Sequence, residues 1–320
     1  MREELVQGMP VDGLTVPVAP VCDRSSPTGS RFVALRNTFY AYVNLTKPRI
    51  IVLLLITTLG GMVIGARSFP PLGLVVATMI GGALAAGGAN AINCYLDRDI
   101  DQLMRRTRRR SLPSGRVEPA HALIYGLVLG VLSFVIMTAF VNVLSAALAQ
   151  AGLLFYVFVY TGFLKRSTPQ NIVIGGAAGA IPPVVGYAAV TGRIDLLALY
   201  MFAIIFFWTP PHFWALSLVT SEDYARANVP MLPLVVGEDE TRRQILLYSI
   251  LLVALTTLLF STQIMGLVYL VSSLVLGAGL ILLAIRLIRE GTNRHARQVF
   301  FYCNAYLALL FLAMAIDRMM

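Results

Sequence analysis

Nine stretches of this chain contain no Asp, Glu, Lys or Arg: residues 50–66, 71–96, 120–140, 143–164, 171–191, 196–219, 244–262, 265–285 and 298–316. An apolar run of roughly 17–25 residues, at about 1.5 Å rise per residue, crosses the hydrocarbon of a bilayer as a helix. Lipid offers backbone amides no hydrogen-bond partners, so a spanning segment must satisfy its own. Composition agrees: 58% of the 320 residues are hydrophobic and 13% are charged, where a soluble domain carries about one quarter charged residues. The sequence therefore predicts an all-α, polytopic membrane protein with nine transmembrane helices in a bundle around a central cavity.

The connections set an orientation. With the N-terminus in the cytoplasm, the inside segments hold 22 of the 25 Lys and Arg residues, and only Arg67, Arg193 and Arg318 fall outside. Cytoplasmic enrichment of basic residues is the strongest topological rule that a sequence offers. It places the N-terminus inside and the C-terminus outside. The formal net charge of +9 then serves topology, so the partner it implies is the lipid bilayer and not nucleic acid. Residues 1–44 carry Pro10, Pro17, Pro20, Pro27 and scattered charges without periodicity. They read as a flexible cytoplasmic tail, leaving 45–320 as the transmembrane domain. The tail has neither the apolar core of a signal peptide nor an Arg-rich, acid-poor transit pattern, which favours a bacterial inner membrane. Cys22, Cys94 and Cys303 are odd in number and unpaired in spacing, so no disulfide framework or zinc site is expected.

Small residues recur where a packed bundle needs them. GGALAAGG (81–88) and GGAAGAIPP (175–183) let helix backbones approach closely. Pro182–Pro183 and Pro210–Pro211 are expected to kink or break the fifth and sixth spans around a widened chamber.

The stretch NCYLDRDIDQLMRRTRRR (93–110) concentrates charge at the end of the second span. Asn93, Asp97 and Asp101 stand at i, i+4 and i+8, so a continuing helix lines them along one face, over about 12 Å. Carboxylates and an amide carbonyl are hard oxygen ligands suited to Mg²⁺, which commonly bridges protein carboxylates to substrate phosphates. Arg105, Arg106, Arg108, Arg109 and Arg110 follow at once, and guanidinium groups grip phosphate oxygens in pairs. Acids alone would repel a diphosphate, and arginines alone would not need a metal; together they describe a Mg–diphosphate site. A second acidic point, Glu222 and Asp223, follows the sixth span. Four spans separate the two, as in an internal repeat with both clusters facing one cavity. Glu238, Asp239 and Glu240 read instead as the solvated start of the seventh span. His212 lies well inside the sixth run, whereas His121 and His295 sit at interfaces. Trp214, Tyr224 and Tyr302 suit an interfacial belt or a cavity wall.

NCYLDRDID with DQLMRRT resembles the NxxxDxxxD signature of the intramembrane UbiA-type prenyltransferases. TKPRI (46–50), LPSGR (112–116), YTGFLKRSTPQNIVIGGAAGAIPPVVGYAAVTG (160–192), FFWTPPHFWALSL (206–218) and EDYARANVPMLPLVVG (222–237) are similar to the protohaem IX farnesyltransferase (haem O synthase) branch. The likeness runs in register over about residues 41–320. One departure is visible: the family usually has RPLPSGR where this chain has Arg110-Ser111-Leu112. The resemblance implies transfer of a farnesyl group from farnesyl diphosphate to the vinyl group of haem B, with water added, at a site facing the cytoplasm. It implies a catalytic Mg²⁺ set of Asn93, Asp97, Asp101 and Asp223, and substrate contacts at Lys47, Arg49, Arg106, Arg110, Lys165 and His212. His212 would face the haem iron or the carbocation. Haem A synthase or terminal-oxidase assembly factors are the partners it suggests. Two rivals are an aromatic or quinone-precursor acceptor on the same fold, and a transporter. Proton and cation relays place acids within the membrane, whereas every acid here lies in a connection.

Overall fold

A computed structural model describes residues 27–320, among which all regular structure is helical. In chain order the helices are α1 (Pro27–Thr46), α2 (Pro48–Ala66), α3 (Leu72–Leu96), α4 (Arg98–Leu103), α5 (Pro119–Phe140), α6 (Val143–Ser167) and α7 (Asn171–Thr191). There follow α8 (Leu196–Val219), α9 (Ser221–Arg226), α10 (Leu232–Val236), α11 (Glu238–Ser261), α12 (Leu267–Glu290) and α13 (Asn293–Met319). The nine long helices α2, α3, α5, α6, α7, α8, α11, α12 and α13 are long and apolar enough to cross a membrane, and each matches one of the nine uncharged runs to within two residues at the run's ends or extends beyond it. Several extend past those runs: α11 begins at Glu238 and α13 at Asn293. Charge ends the membrane-embedded part of a helix, not the helix itself. The acids in the first turn of α11 favour its N-terminus, as expected for Glu238, Asp239 and Glu240.

Consecutive spans are neighbours throughout, and α13 returns to pack on α2. The most enclosed spans are α7 and α8; α7 also leans on α2, and α8 on α13. These two carry the proline pairs, and both run unbroken, with Pro182 and Pro183 inside α7 and Pro210 and Pro211 inside α8. Of the expected kink or break, the break does not occur. Carbonyls freed by proline are tolerated where surrounding protein re-satisfies or shields them, and enclosure supplies that here.

Glycine sets how closely helices approach. A Cβ added at Gly61 would stand 2.1 Å from the Pro183 carbonyl oxygen, and one at Gly186 would stand 1.9 Å from that of Thr58. Thus α2 and α7 touch backbone to backbone. At Gly88, on α3, a Cβ would come within 2.7 Å of the Gly126 carbonyl on α5.

The tail reading needs correction at its inner end. Residues 1–26 lie outside the described residues, but 27–46 form α1, and Thr38–Met320 is one compact unit. Within it Ala41 and Leu45 are buried with Ala91, Cys94, Leu112 and Val117, and the Ser111 hydroxyl donates to the Ala41 carbonyl at 2.9 Å. Two apolar residues one turn apart are too sparse a signal to stand out beside uncharged spans of twenty.

Arg242 ties two spans together. Its guanidinium donates to Asp239 at 2.6 Å, to Glu238, and across to the Gly291 carbonyl at the end of α12 at 2.9 Å. The two acids are exposed, so their pairing contributes little; the carbonyl bond and the packed stem contribute more. Arg242→Ala is expected to cost about 1–2 kcal/mol, read as a lower melting temperature in detergent with activity per folded molecule unchanged.

Candidate active site

The acidic stripe survives a helix junction. Asp97 caps α3 with φ −89° and ψ 6° before α4 begins. The Asp97 amide still donates to the Asn93 carbonyl at 2.9 Å, and the Asp101 amide to the Asp97 carbonyl at 2.8 Å. The i to i−4 pattern therefore crosses the junction, and the three side chains keep one face. All are buried: Asn93 is 3% exposed, Asp97 1% and Asp101 2%.

Buried charge requires partners, and these come from distant parts of the chain. Lys165 Nζ donates to Asp97 Oδ2 at 2.5 Å, and Asn93 Nδ2 donates to the same oxygen at 2.8 Å. Asn93 Nδ2 also donates to Thr161 Oγ1 at 3.0 Å, while Lys47 Nζ donates to Asn93 Oδ1 at 2.6 Å. Arg110 reaches both oxygens of Asp101, at 3.2 and 3.0 Å. One oxygen is left over. Asp97 Oδ1 is buried without a hydrogen-bond partner, with Arg166 at 3.9 Å as a nearby cation.

Two local irregularities aim these groups. Lys47 has φ 55° and ψ 61°, left-handed for a residue with a side chain. Such conformations cost about 1–3 kcal/mol and concentrate at functional sites. Burial lowers the Lys47 amine from its ordinary range, with Arg110 and Lys165 adding to the effect and Cys94 and Asp101 opposing it. Within α6, residues Phe155–Leu164 form a π-helix, which widens the turn and is frequent at functional sites. This segment carries Thr161, and Lys165 follows it directly. Sequence reasoning did not single out Thr161, since an isolated Thr in an apolar run carries no signal of its own.

The remaining expected residues are engaged differently. Asp223, at the start of α9, accepts the backbone amides of Arg105 at 3.0 Å and Arg106 at 3.3 Å, and the Arg226 guanidinium binds one of its oxygens. Burial by itself would raise its carboxyl, but Arg226 and the two amides outweigh that and lower it. Among the described residues no three His, Cys, Asp or Glu side chains form a metal-holding group by themselves. Arg49 and Arg106 are exposed. His212 is buried between the rings of Trp208 and Phe300, with centroids at 4.3 and 4.6 Å, and its Nδ1 has no partner. Trp214 is fully buried against Tyr248, because the helices around α8 enclose it. Asp99 turns outward to Arg166 at 2.6 Å, which holds its carboxyl down at about 2. The local pattern after the sixth span matches that after the second: α9, like α4, is a six-residue helix opening on acids.

Chemically, the site is a row of hard oxygen donors with one open carboxylate oxygen, facing two lysines and an arginine. That suits a divalent metal and a polyanion together. The sequence pattern of the UbiA prenyltransferase family matches residues 54–312. This chain belongs to the UbiA prenyltransferase family. As a member it is an integral membrane prenyltransferase. A protein of Symbiobacterium thermophilum named protoheme IX farnesyltransferase is 56% identical over 278 residues, which cover 86% of this chain and 93% of that one. One of the same name from Roseiflexus sp. is 53% identical over 87% of this chain, which spans only 52% of that longer relative. Among solved UbiA-type folds, a structure concerned with digeranylgeranylglyceryl phosphate synthase aligns with TM-score 0.73 at 19% identity, covering 88% of this chain and 99% of that one. A homologue from Archaeoglobus fulgidus bound to DMAPP and Mg²⁺ aligns with TM-score 0.61 at 15% identity, covering 86% and 99%. At these identities the likeness is one of fold.

Proposed function

We propose that this chain transfers the farnesyl group of farnesyl diphosphate to a vinyl group of haem B, with water added, giving haem O and diphosphate. The observation that carries the acceptor is the 56% identity, over nearly the whole of a relative of that name. The open oxygen of Asp97 beside Asn93 and Asp101 supports metal-assisted loss of diphosphate. Asn93, Asp97, Asp101 and Asp223 would hold Mg²⁺. That ion supplies Lewis-acid stabilisation of the departing diphosphate.

The chain's own groups do the rest. Lys47, Lys165 and Arg110 bring positive charge to the stripe and offset the charge that develops on the leaving oxygens. Thr161 fixes the Asn93 amide, so that its carbonyl faces Lys47. Arg49 and Arg106, exposed nearby in sequence, receive diphosphate or haem propionates from solvent. His212, with its unpartnered Nδ1, is the contact proposed for haem. As the allylic C–O bond breaks, its electron pair leaves with diphosphate. The vinyl π pair forms the new C–C bond, and water, losing a proton, captures the cation left on the side chain. The packed apolar spans keep water from the first cation.

The basic-residue bias supports an N-terminus and active site on the cytoplasmic side, a C-terminus outside and residence in a bacterial inner membrane. The product would pass to haem A synthase or terminal-oxidase assembly. The test incubates membranes from an expressing host with farnesyl diphosphate, Mg²⁺ and, separately, haem B, hydroxybenzoate or chlorophyllide. A haem of the mass and spectrum of haem O is expected from the first alone. Prenylated hydroxybenzoate without haem O would overturn the assignment.

A further inference from the structure

Two cations reach toward Asp97 from the end of α6, and they are held differently. Lys165 donates to Oδ2 at 2.5 Å, beside the Asn93 amide. Arg166, the next residue, stands 3.9 Å from Oδ1, beyond hydrogen-bond reach, and that oxygen has no partner. A buried carboxylate oxygen is seldom left bare beside a guanidinium. Asp97 is 1% exposed, so solvent does little to screen the attraction. Something holds Arg166 back.

The restraint is Asp99. Arg166 Nη1 donates to Asp99 Oδ2 at 2.6 Å and Nη2 donates to Oδ1 at 2.7 Å, the two-pronged pairing that guanidinium and carboxylate favour. Nη2 also donates to the Leu96 carbonyl at 2.9 Å, at the end of α3. A terminal guanidinium nitrogen carries two hydrogens. These two bonds use both, so Nη2, the atom nearest Asp97, has none to give to Oδ1. Packing does not confine it, since Arg166 lines an open recess of about 380 Å³ with Leu96, Asp99, Thr161 and Gly162. Arg98, on the same recess, is occupied elsewhere: it lies over the Tyr95 ring at 4.5 Å and donates to the Tyr95 carbonyl at 2.8 Å.

We propose that Asp99 is a positioning residue: by engaging the Arg166 guanidinium it holds that cation off Asp97 and keeps Oδ1 free. Where Arg166 sits is a matter of geometry alone. The consequence, an oxygen left for a divalent metal, rests on the metal-assisted prenyl-transfer reading. Without Asp99, one Nη2 hydrogen is released about an ångström short of bonding distance, and Arg166 closes on Asp97. A charge-assisted bond then occupies the oxygen and adds positive charge where the metal would sit.

The test compares the full chain in detergent as the parent, Asp99→Ala, Arg166→Ala and the double variant. Mn²⁺, standing in for Mg²⁺, is titrated without substrate, and the bound fraction is read by electron paramagnetic resonance. Asp99→Ala should raise the half-saturating Mn²⁺ concentration about tenfold, since a hydrogen bond involving a charged group is worth a factor of ten or more. Arg166→Ala removes the competing cation and should bind Mn²⁺ at least as tightly as the parent. Adding it to Asp99→Ala should restore the parent's value. A purely structural ion pair gives another pattern, equal losses from the two single variants and no rescue in the double, and that pattern would overturn the proposal. The metal-free structure of Asp99→Ala is the second measurement. Arg166 should lie within about 3.2 Å of Asp97 Oδ1; a guanidinium still at the parent's distance would overturn the proposal equally. The Asp99 and Arg166 side chains are 59% and 41% exposed, so the variants should fold, and Asp99→Asn serves both measurements if Asp99→Ala does not. If no form binds Mn²⁺, the metal reading fails, while the position of Arg166 still decides the proposal.

Discussion

Asp97→Asn is expected to lower prenyl transfer by about a thousandfold while leaving a protein that still inserts and purifies. The substitution keeps the side chain's shape and one oxygen for Lys165 and Asn93, which now meet at Asp97 Oδ2. What it removes is the negative charge and, with it, the unpartnered oxygen on which the proposed metal site rests. Metal ions supply several kcal/mol of charge stabilisation in a transition state, and each 1.36 kcal/mol is a factor of about ten in rate. The loss falls on turnover and not on assembly, because Asn93 and Thr161 hold the new amide on the same face. A modest drop in melting temperature should accompany it, since Lys165 is mostly buried and loses its counter-charge. Haem O formed per milligram of monodisperse protein is the measurement. Near-normal yield would remove the metal-site assignment, and Asp101→Asn provides a second reading of the same stripe.

Gly186→Val has the opposite signature: it is expected to leave almost no folded protein. A Cβ at Gly186 would lie 1.9 Å from the Thr58 carbonyl oxygen, where carbon–oxygen contacts normally stand at about 3.3–3.6 Å. The obstacle is backbone, so no rotamer change relieves it, and α2 would have to move away from α7 by more than an ångström. Overpacking a close-packed interface costs about 1–3 kcal/mol even where side chains can adjust; here it should exceed that range. The same displacement would draw Lys47, just ahead of α2, from Asn93. The monodisperse fraction in detergent reports the effect. Gly179→Ala in the same helix is the control, since a Cβ there meets nothing within 4 Å. Equal loss from both substitutions would show that the helix, and not the α2–α7 contact, is what fails.

The two variants probe features that the sequence made visible to different degrees. The spans were legible because exclusion of charge is a property of each segment alone, and the stripe because three residues at i, i+4 and i+8 keep one face of whatever helix carries them. Glycine-rich segments announced close packing but not which backbone each glycine would meet. The proline pairs pointed to a kink or a break, and no break occurs, because a local rule about missing amides ignores the enclosure that tolerates them. Helix α1 was missed where its apolar stripe, Ala41 and Leu45, is short and its neighbours are polar. Thr161 was missed because its contact with Asn93 spans 68 residues and depends on a π-helical turn.

The sequence by itself determined the membrane class, the nine spans, the oxygen-rich stripe and the family. Each follows from composition or spacing within a single segment, and lipid enforces those local rules strictly. Only the tertiary structure decided which groups each carboxylate meets. Asp97 and Asp223 look alike in sequence, each an acid near the end of a span; one meets Lys165 and the Asn93 amide, the other two backbone amides and Arg226. Partners that far apart in the chain are chosen by how the helices pack, and no local pattern records that choice.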